Sequence, residues 1–312
     1  MITVSSLQLK KFLNSINQYI EDNGVKSNVN KFSSLSNSSY ESISWTNKNT
    51  LNFNKIKSKI IIAPKNFIDK NLKKEITVFK VFNPKLSFFK ITDKFFLCDT
   101  KDFRVSLKSF IHPSAIIKNN VRIDHGVVIE KNCIIKENSI VSSNSYLENT
   151  EIGRNCIVGV NCTLGKEGAG FIFDENMKEY FKVSHVGKIK IKDKVEIQSN
   201  CFISKGTLDD TIINNGTKIG PSCTLAHNVI IGKNCLLTGS NTIGGSSIVG
   251  NNVYMGLGSI ISNKINIGHK AFISLGTVVV NDVKNKEKVT GNFAVEHNKF
   301  LYNYYKNFNS IK

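Results

Sequence analysis

His227 sits in the string TLAHNVIIG (224–232), and Gly245 follows it by eighteen residues in NTIGGSSIVG (241–250). An imidazole titrates near neutral pH, so a histidine at the edge of a cleft can take a proton from an attacking group. A glycine lets a substrate carbonyl come close to its own backbone N–H. Around this pair lie other groups with chemistry. Asp209 and Asp210, in GTLDDTII (206–213), could orient His227 or bind hydroxyls, or could serve only as turn-forming acceptors. Lys264 could neutralise a phosphate or be solvated, and His185 lies where a loop could carry it to a cleft. On spacing alone an outward histidine such as His227 reads first as a solvated corner residue, and the flanking LDDT and LAHNV strings are what turn the reading to catalysis.

What would position these residues is a repeat. Aliphatic side chains recur every sixth residue from Ile213 through Leu225, Ile231, Leu237 and Ile243 to Val279. An earlier run goes from Ile111 to Leu147, slips by one residue to Ile152 and continues to Leu164. Hexads with Gly or Asn near the bends mark a parallel β-helix, and the apolar spacing of three and four that a helix needs is missing. Three hexads make a coil of eighteen residues, so Gly245 stacks one coil from His227, roughly 5 Å along the axis. His125 and His269 fall in the same slot of their hexads and read as solvated; His112, in IHPSAII, reads as a turn residue. Two insertions interrupt the pattern, one between Leu164 and Ile191 that holds His185, the other between Ile203 and Ile213. A solenoid tolerates such segments only as loops leaving a corner.

Residues 1–108 differ in texture and predict a small α/β domain: a helix in LQLKKFLNSINQYIE (7–21), strands in KSKIIIAPKNF (57–67) and from Glu75, and a second helix after Asn83-Pro84. The solenoid is expected over 109–280. The tail, 281–312, is expected to carry a short helix in NKFLYNYYKNF (298–308).

Composition narrows the partners. The net charge is +18, yet the excess is lysine spread along the chain, with arginine only at 104, 122 and 154. Nucleic-acid surfaces lean on arginine forks interleaved with aromatics, so no nucleic acid is expected. An acidic protein, a nucleotide diphosphate or, at most peripherally, a membrane surface suits the charge. The opening MITVSSLQLKKFL has no signal-peptide pattern, and the expected location is cytoplasmic. Seven cysteines without a CxxC argue against zinc and against a disulfide framework. Cys133, Cys156, Cys162, Cys201, Cys223 and Cys235 each fall four residues after an aliphatic position, in a slot that elsewhere takes Ser, Ala or Thr. They read as small apolar fillers.

The strings GKEGAGFIFD (165–174), GKIKIKDKVEIQSNCFISKGTLDDTII (187–213) and LAHNVIIG (225–232) resemble the UDP-3-O-acylglucosamine N-acyltransferase family. SSLSNSSYESISW (33–45), VFKVFNP (78–84) and GNFAVEHNKFLYNYYKNF (291–308) extend the resemblance to both ends. It implies a left-handed β-helix and a homotrimer with sites between neighbouring solenoids. The implied reaction moves a (3-hydroxy)acyl group from acyl carrier protein to the amine of a UDP-amino sugar, with no tightly bound cofactor and no metal. Within it His227 is the general base and the Gly245 backbone N–H the oxyanion donor. Trp45 stands at the nucleotide-stacking position and Leu275 and Gly276 at the acyl pocket, while Asp209, Asp210, Lys264 and His185 stay the candidate substrate contacts read above from their positions. The chain departs from the family pattern at Gly220-Pro221, where Asp-Asn is usual, at Lys264, where a second histidine is usual, and at Ser274-Leu275-Gly276, where Thr-Gly-Met is usual. Two other readings stay open: transfer from acyl-CoA to another nucleotide amino sugar of a surface glycan, and a non-catalytic scaffold trimer.

Overall fold

The computed structural model describes residues 2–68, 72–97, 102–291, 296–299, 301, 302 and 306. The chain divides into two compact units at 101/102, a few residues before the expected boundary at 108.

In the first unit, helix α1 (Ser6–Ser15) opens with a capping box: Ser5 Oγ accepts from Gln8 N–H while Gln8 Oε1 accepts from Ser5 N–H. Its Leu9 and Leu13 are fully buried. The apolar pattern predicts a helix to Glu21, but Asn17 turns the chain at φ 53 and Tyr19–Asp22 is a strand. That strand pairs antiparallel with Thr77–Val81, and the sheet continues in parallel through Ile60–Pro64, Ser42–Trp45 and Lys31–Phe32. Helix α2 (Pro84–Phe95) begins as expected, with Asn83 as N-cap accepting from Leu86 N–H and Pro84 in the first turn.

The second unit is a parallel β-helix of three sheets, with nine, nine and eight strands. Leu225 pairs with Ile243 and Ile243 with Ile261, so the coil is the eighteen residues that three hexads predict. The aliphatic position of each hexad points into the prism, and its burial stabilises by about 1.5–3 kcal/mol per side chain. Three residues later the backbone enters the left-handed region, as at Asn234 (φ 53), Asn252 (φ 58) and Gly258 (φ 68), where Asn and Gly are tolerated best. The slip after Leu147 is absorbed at one corner, where Asn149 turns early and Ile152 still pairs in register with Ile135. Coiling runs past the expected end at 280: Val283 bridges to Ile267 and Lys288–Val289 pairs with Phe272–Ile273. Of the expected tail helix, 298–299, 301, 302 and 306 are helical, and the remaining residues of 298–308 lie outside the described residues.

The six cysteines named above are buried in the prism, unpaired, in the small-residue slot. Burial pushes the Cys133 and Cys156 thiols up to about 11. None of the six should react with a thiol reagent at about pH 8 until the protein unfolds, because all are at most 2% exposed and the reagent does not reach the sulfur, Cys223 included although the neighbouring Cys201 lowers its thiol. A titration counting more than one fast thiol in the native protein would contradict this packing role.

Both insertions leave the same corner, between the sheet of Leu225 and the sheet of Ile231. Leu164 pairs with Ile203 and Ile203 with Leu225, while the chain re-enters at Ile191, which pairs with Ile213. The first insertion carries an antiparallel hairpin, Phe171–Asp174 with Glu179–Lys182. His227 belongs to the next coil at that corner, so the fold brings both loops to it.

Candidate active site

His227 is half-buried. Its Nδ1 lies 3.0 Å from Asn228 Oδ1. The Thr207 backbone N–H donates to the same oxygen at 3.0 Å and the Thr207 hydroxyl at 2.8 Å, while Asn228 Nδ2 donates to the Asp209 carbonyl at 2.8 Å. A backbone N–H can only donate, so this atom of Asn228 is the oxygen, and His227 must give it the Nδ1 proton. The Nε2 lone pair is left free to act as a base. Sequence spacing does not single out Asn228, because an Asn at φ 60 in a β-helix corner already has a backbone reason to be there. Asn228→Gly keeps that left-handed corner and removes the amide. The turnover rate is expected to fall by about 10²-fold through lost imidazole orientation, measured as kcat under saturating substrate.

Gly245 is buried against the ring: a Cβ there would lie 2.8 Å from both Cε1 and Nε2 of His227. Any side chain at 245 would collide with the basic edge. From the first insertion, Gly168 meets the other edge, a Cβ there lying 3.5 Å from His227 Cδ2. The Gly245 N–H, however, is engaged: it donates to Asn263 Oδ1 at 2.9 Å. The free donor that the sequence predicts is therefore occupied by the amide one coil on, and an incoming oxygen must take the place of that amide. Lys264, next to Asn263, donates its backbone N–H to the Gly245 carbonyl at 2.9 Å. Its side chain is exposed and has no ion-pair partner among the described residues. Lys264 is thus at this corner, one coil beyond Gly245.

The two aspartates do not orient His227 directly. Asp209 is exposed and acts through its backbone carbonyl, on which Asn228 rests. The Asp210 carboxylate accepts from Lys188 N–H at 2.8 Å and pairs with Lys190 at 2.6 Å. Burial would raise this carboxyl, but Lys190 and the Lys188 N–H outweigh it and hold it below its ordinary range. Asp210 fastens the returning loop to the coil. His185 does reach the site: its ring stands edge to face against His227, centroids 5.4 Å apart and planes at 83°.

Other expected residues are placed elsewhere. Leu275, 60% exposed, and Gly276, at φ 62, follow Ile273 at the next corner of the prism, the one after the Leu237 sheet, so a single chain does not bring them to the His227 corner. Trp45, in the first unit, is half-buried and packs its indole on Phe88 of α2, with centroids 6.5 Å apart. The remaining solenoid histidines have local roles. His112 Nδ1 accepts from Ser114 N–H, His269 Nδ1 accepts from Asn251 N–H, and His125 Nδ1 meets Ser143 Oγ. Among the described residues no group of three or more His, Cys, Asp or Glu could hold a metal ion, and no helix is long and apolar enough to cross a membrane.

These features define a parallel β-helix built on a repeat of six residues. Residues 114–149 match the bacterial transferase hexapeptide (six repeats) family. A crystal structure of a UDP-N-acetylglucosamine acyltransferase superposes with a TM-score of 0.55 at 23% identity, over 65% of this chain and 82% of that one. The UDP-N-acetylglucosamine acyltransferase of Campylobacter jejuni gives 0.54 at 19%, over 61% and 72%. These likenesses establish the fold. In sequence the chain resembles UDP-3-O-acylglucosamine N-acyltransferases. It is 45% identical to that of Coxiella burnetii (strain RSA 493 / Nine Mile phase I) over 76 residues, and 42% identical to that of Bradyrhizobium diazoefficiens over 74 residues. Each match covers 24% of this chain, and only 22% and 21% of the respective relative.

Proposed function

We propose that this protein is an acyltransferase that moves an acyl group from a thioester to the amine of a UDP-linked amino sugar. The observation that carries the reading is His227, held by Asn228 with its Nε2 lone pair free, against a glycine that admits no side chain. The amine nitrogen attacks the thioester carbonyl carbon while His227 Nε2 takes one N–H proton. The resulting oxyanion displaces the Asn263 amide and accepts from the Gly245 N–H, a donor of the kind worth about 3 kcal/mol. Collapse re-forms the carbonyl and breaks the carbon–sulfur bond, and the imidazolium returns its proton to the leaving thiolate. The products are an amide and a thiol.

The finer assignment is a lipid A enzyme using 3-hydroxyacyl carrier protein, whose acidity suits the net charge of +18. In it Lys264 faces a phosphate and Trp45 the uracil. Leu275 and Gly276 would then join the acyl pocket of a neighbouring copy in a homotrimer. The test offers UDP-3-O-acylglucosamine with 3-hydroxyacyl carrier protein beside simple UDP-amino sugars with short acyl-CoAs. Turnover is expected with the first pair. Turnover confined to the second would move the protein to another surface glycan, and none with either would remove the acyltransferase reading.

A further inference from the structure

Among the described residues, four buried side-chain N or O atoms have no hydrogen-bond partner: Asn30 Oδ1, Ser39 Oγ, His185 Nε2 and Ser204 Oγ. The last two border the His227 ring. His185 is 3% exposed and stands edge to face on that ring. Ser204 is 1% exposed, and the Gly168 position that lies 3.5 Å from His227 Cδ2 lies 3.0 Å from Ser204 Oγ. His185 Nδ1 is 2.9 Å from the Val183 carbonyl, which can only accept, so Nδ1 carries a proton and, in the neutral ring, Nε2 presents a lone pair. Leaving such groups unpaired is costly, and a fold that tolerates two beside one basic imidazole has them available for a ligand. Glycine lets the loop pack directly on the His185 ring: a Cβ on Gly170 would come within 2.6 Å of His185 Cε1.

We propose that His185 Nε2 and Ser204 Oγ, together with His227 Nε2, hold the reacting amino group and set the preference of this site for amines over hydroxyls. The inference rests on the acyl-transfer reading of the site. An amino group carries two N–H bonds, three when protonated, whereas a hydroxyl carries one O–H. When His227 takes one proton from an attacking amine, another N–H stays on nitrogen and in the amide product. In a buried site that N–H needs an acceptor, and the His185 lone pair and the Ser204 oxygen supply it. A hydroxyl that gives its single proton to His227 leaves both without a partner. Sites built to bond a group reject the analogue that lacks it for this reason.

The test compares UDP-glucosamine with UDP-glucose, which differ by amine against hydroxyl at one carbon. Binding is measured by titration calorimetry, and turnover with an acyl carrier protein thioester. Wild type is expected to bind the amine at least about tenfold more tightly. His185→Leu should bring the two within about threefold, His185→Gln, whose Oε1 can accept, should keep most of the preference, and Ser204→Ala should lie between. A preference in His185→Leu equal to wild type overturns the inference, even with a lowered melting temperature, since His185 is then only structural. Equal binding of both sugars by wild type also overturns it. Amine-selective binding that His185→Leu abolishes, without turnover by wild type, supports the inference and counts against the transfer reading.

Discussion

Replacing His227 with alanine is expected to lower kcat by about 10²- to 10⁴-fold, the usual contribution of a positioned base. KM should change only a few-fold, because the imidazole acts mainly while the proton is in flight and shares its hold on the amino group with His185 and Ser204. The fold should survive. His227 is half-buried at a corner, its backbone carbonyl already accepts from Ser246 N–H, and the coil is held by Leu225 and Ile243 beneath it. A melting temperature near wild type with a collapsed kcat is therefore the expected pair of results. Turnover within a few-fold of wild type would remove His227 from the mechanism.

Gly245→Ala is expected to reduce kcat by about 10²-fold or more while leaving His227 chemically intact. The new methyl would sit 2.8 Å from Cε1 and Nε2, closer than carbon atoms approach, with the ring as the obstacle. Either the imidazole swings off Asn228 and loses its orientation, or the backbone at 245 shifts and its N–H leaves the position from which it meets an oxyanion. Backbone strain is not the cause, since the φ of Gly245 is not in the left-handed region that L side chains avoid. Gly276→Ala provides the contrast. Gly276 does adopt φ 62, and a Cβ there has nothing within 4 Å. It should cost about 1–2 kcal/mol of stability through its left-handed backbone, and, since Gly276 is assigned to the acyl pocket and is away from the His227 ring, any change in turnover should appear in the KM of the acyl donor. Both variants are checked by thermal melting beside steady-state kinetics. A Gly245→Ala enzyme with wild-type kcat would show that neither the ring position nor the N–H matters.

The corner also explains which parts of the site could be read from residue order. Hexad spacing is local and repeated many times, so it carries both the coil and its eighteen-residue period. It places Gly245 against His227 without any tertiary information. The cysteines in the small-residue slot are legible for the same reason: a slot that takes Ser, Ala or Thr elsewhere faces a crowded interior. The junction of Asn83 and Pro84 announces α2 because an Asn cap and a first-turn proline act within one turn. The helix expected to run to Glu21 stops early because sheet pairing with Thr77–Val81, some sixty residues away, outweighs a local apolar pattern.

What only the tertiary structure decided are the partners that loops bring from outside the repeat. Thr207 reaches Asn228 across twenty-one residues, and its N–H settles which nitrogen of His227 is basic. Asp210 looks free to orient a histidine until Lys190 and Lys188 claim it. The Gly245 N–H looks open until the Asn263 side chain turns onto it. In each case the deciding contact depends on how an insertion of irregular length folds back, or on where a side chain points. Counting by eighteen does separate the three corners, and sets Leu275, thirty residues after Gly245, at a different one from His227, but it says nothing of either. His185 is the clearest instance: nothing in its loop marks it as buried, and packing sets its unpaired Nε2 beside the His227 ring.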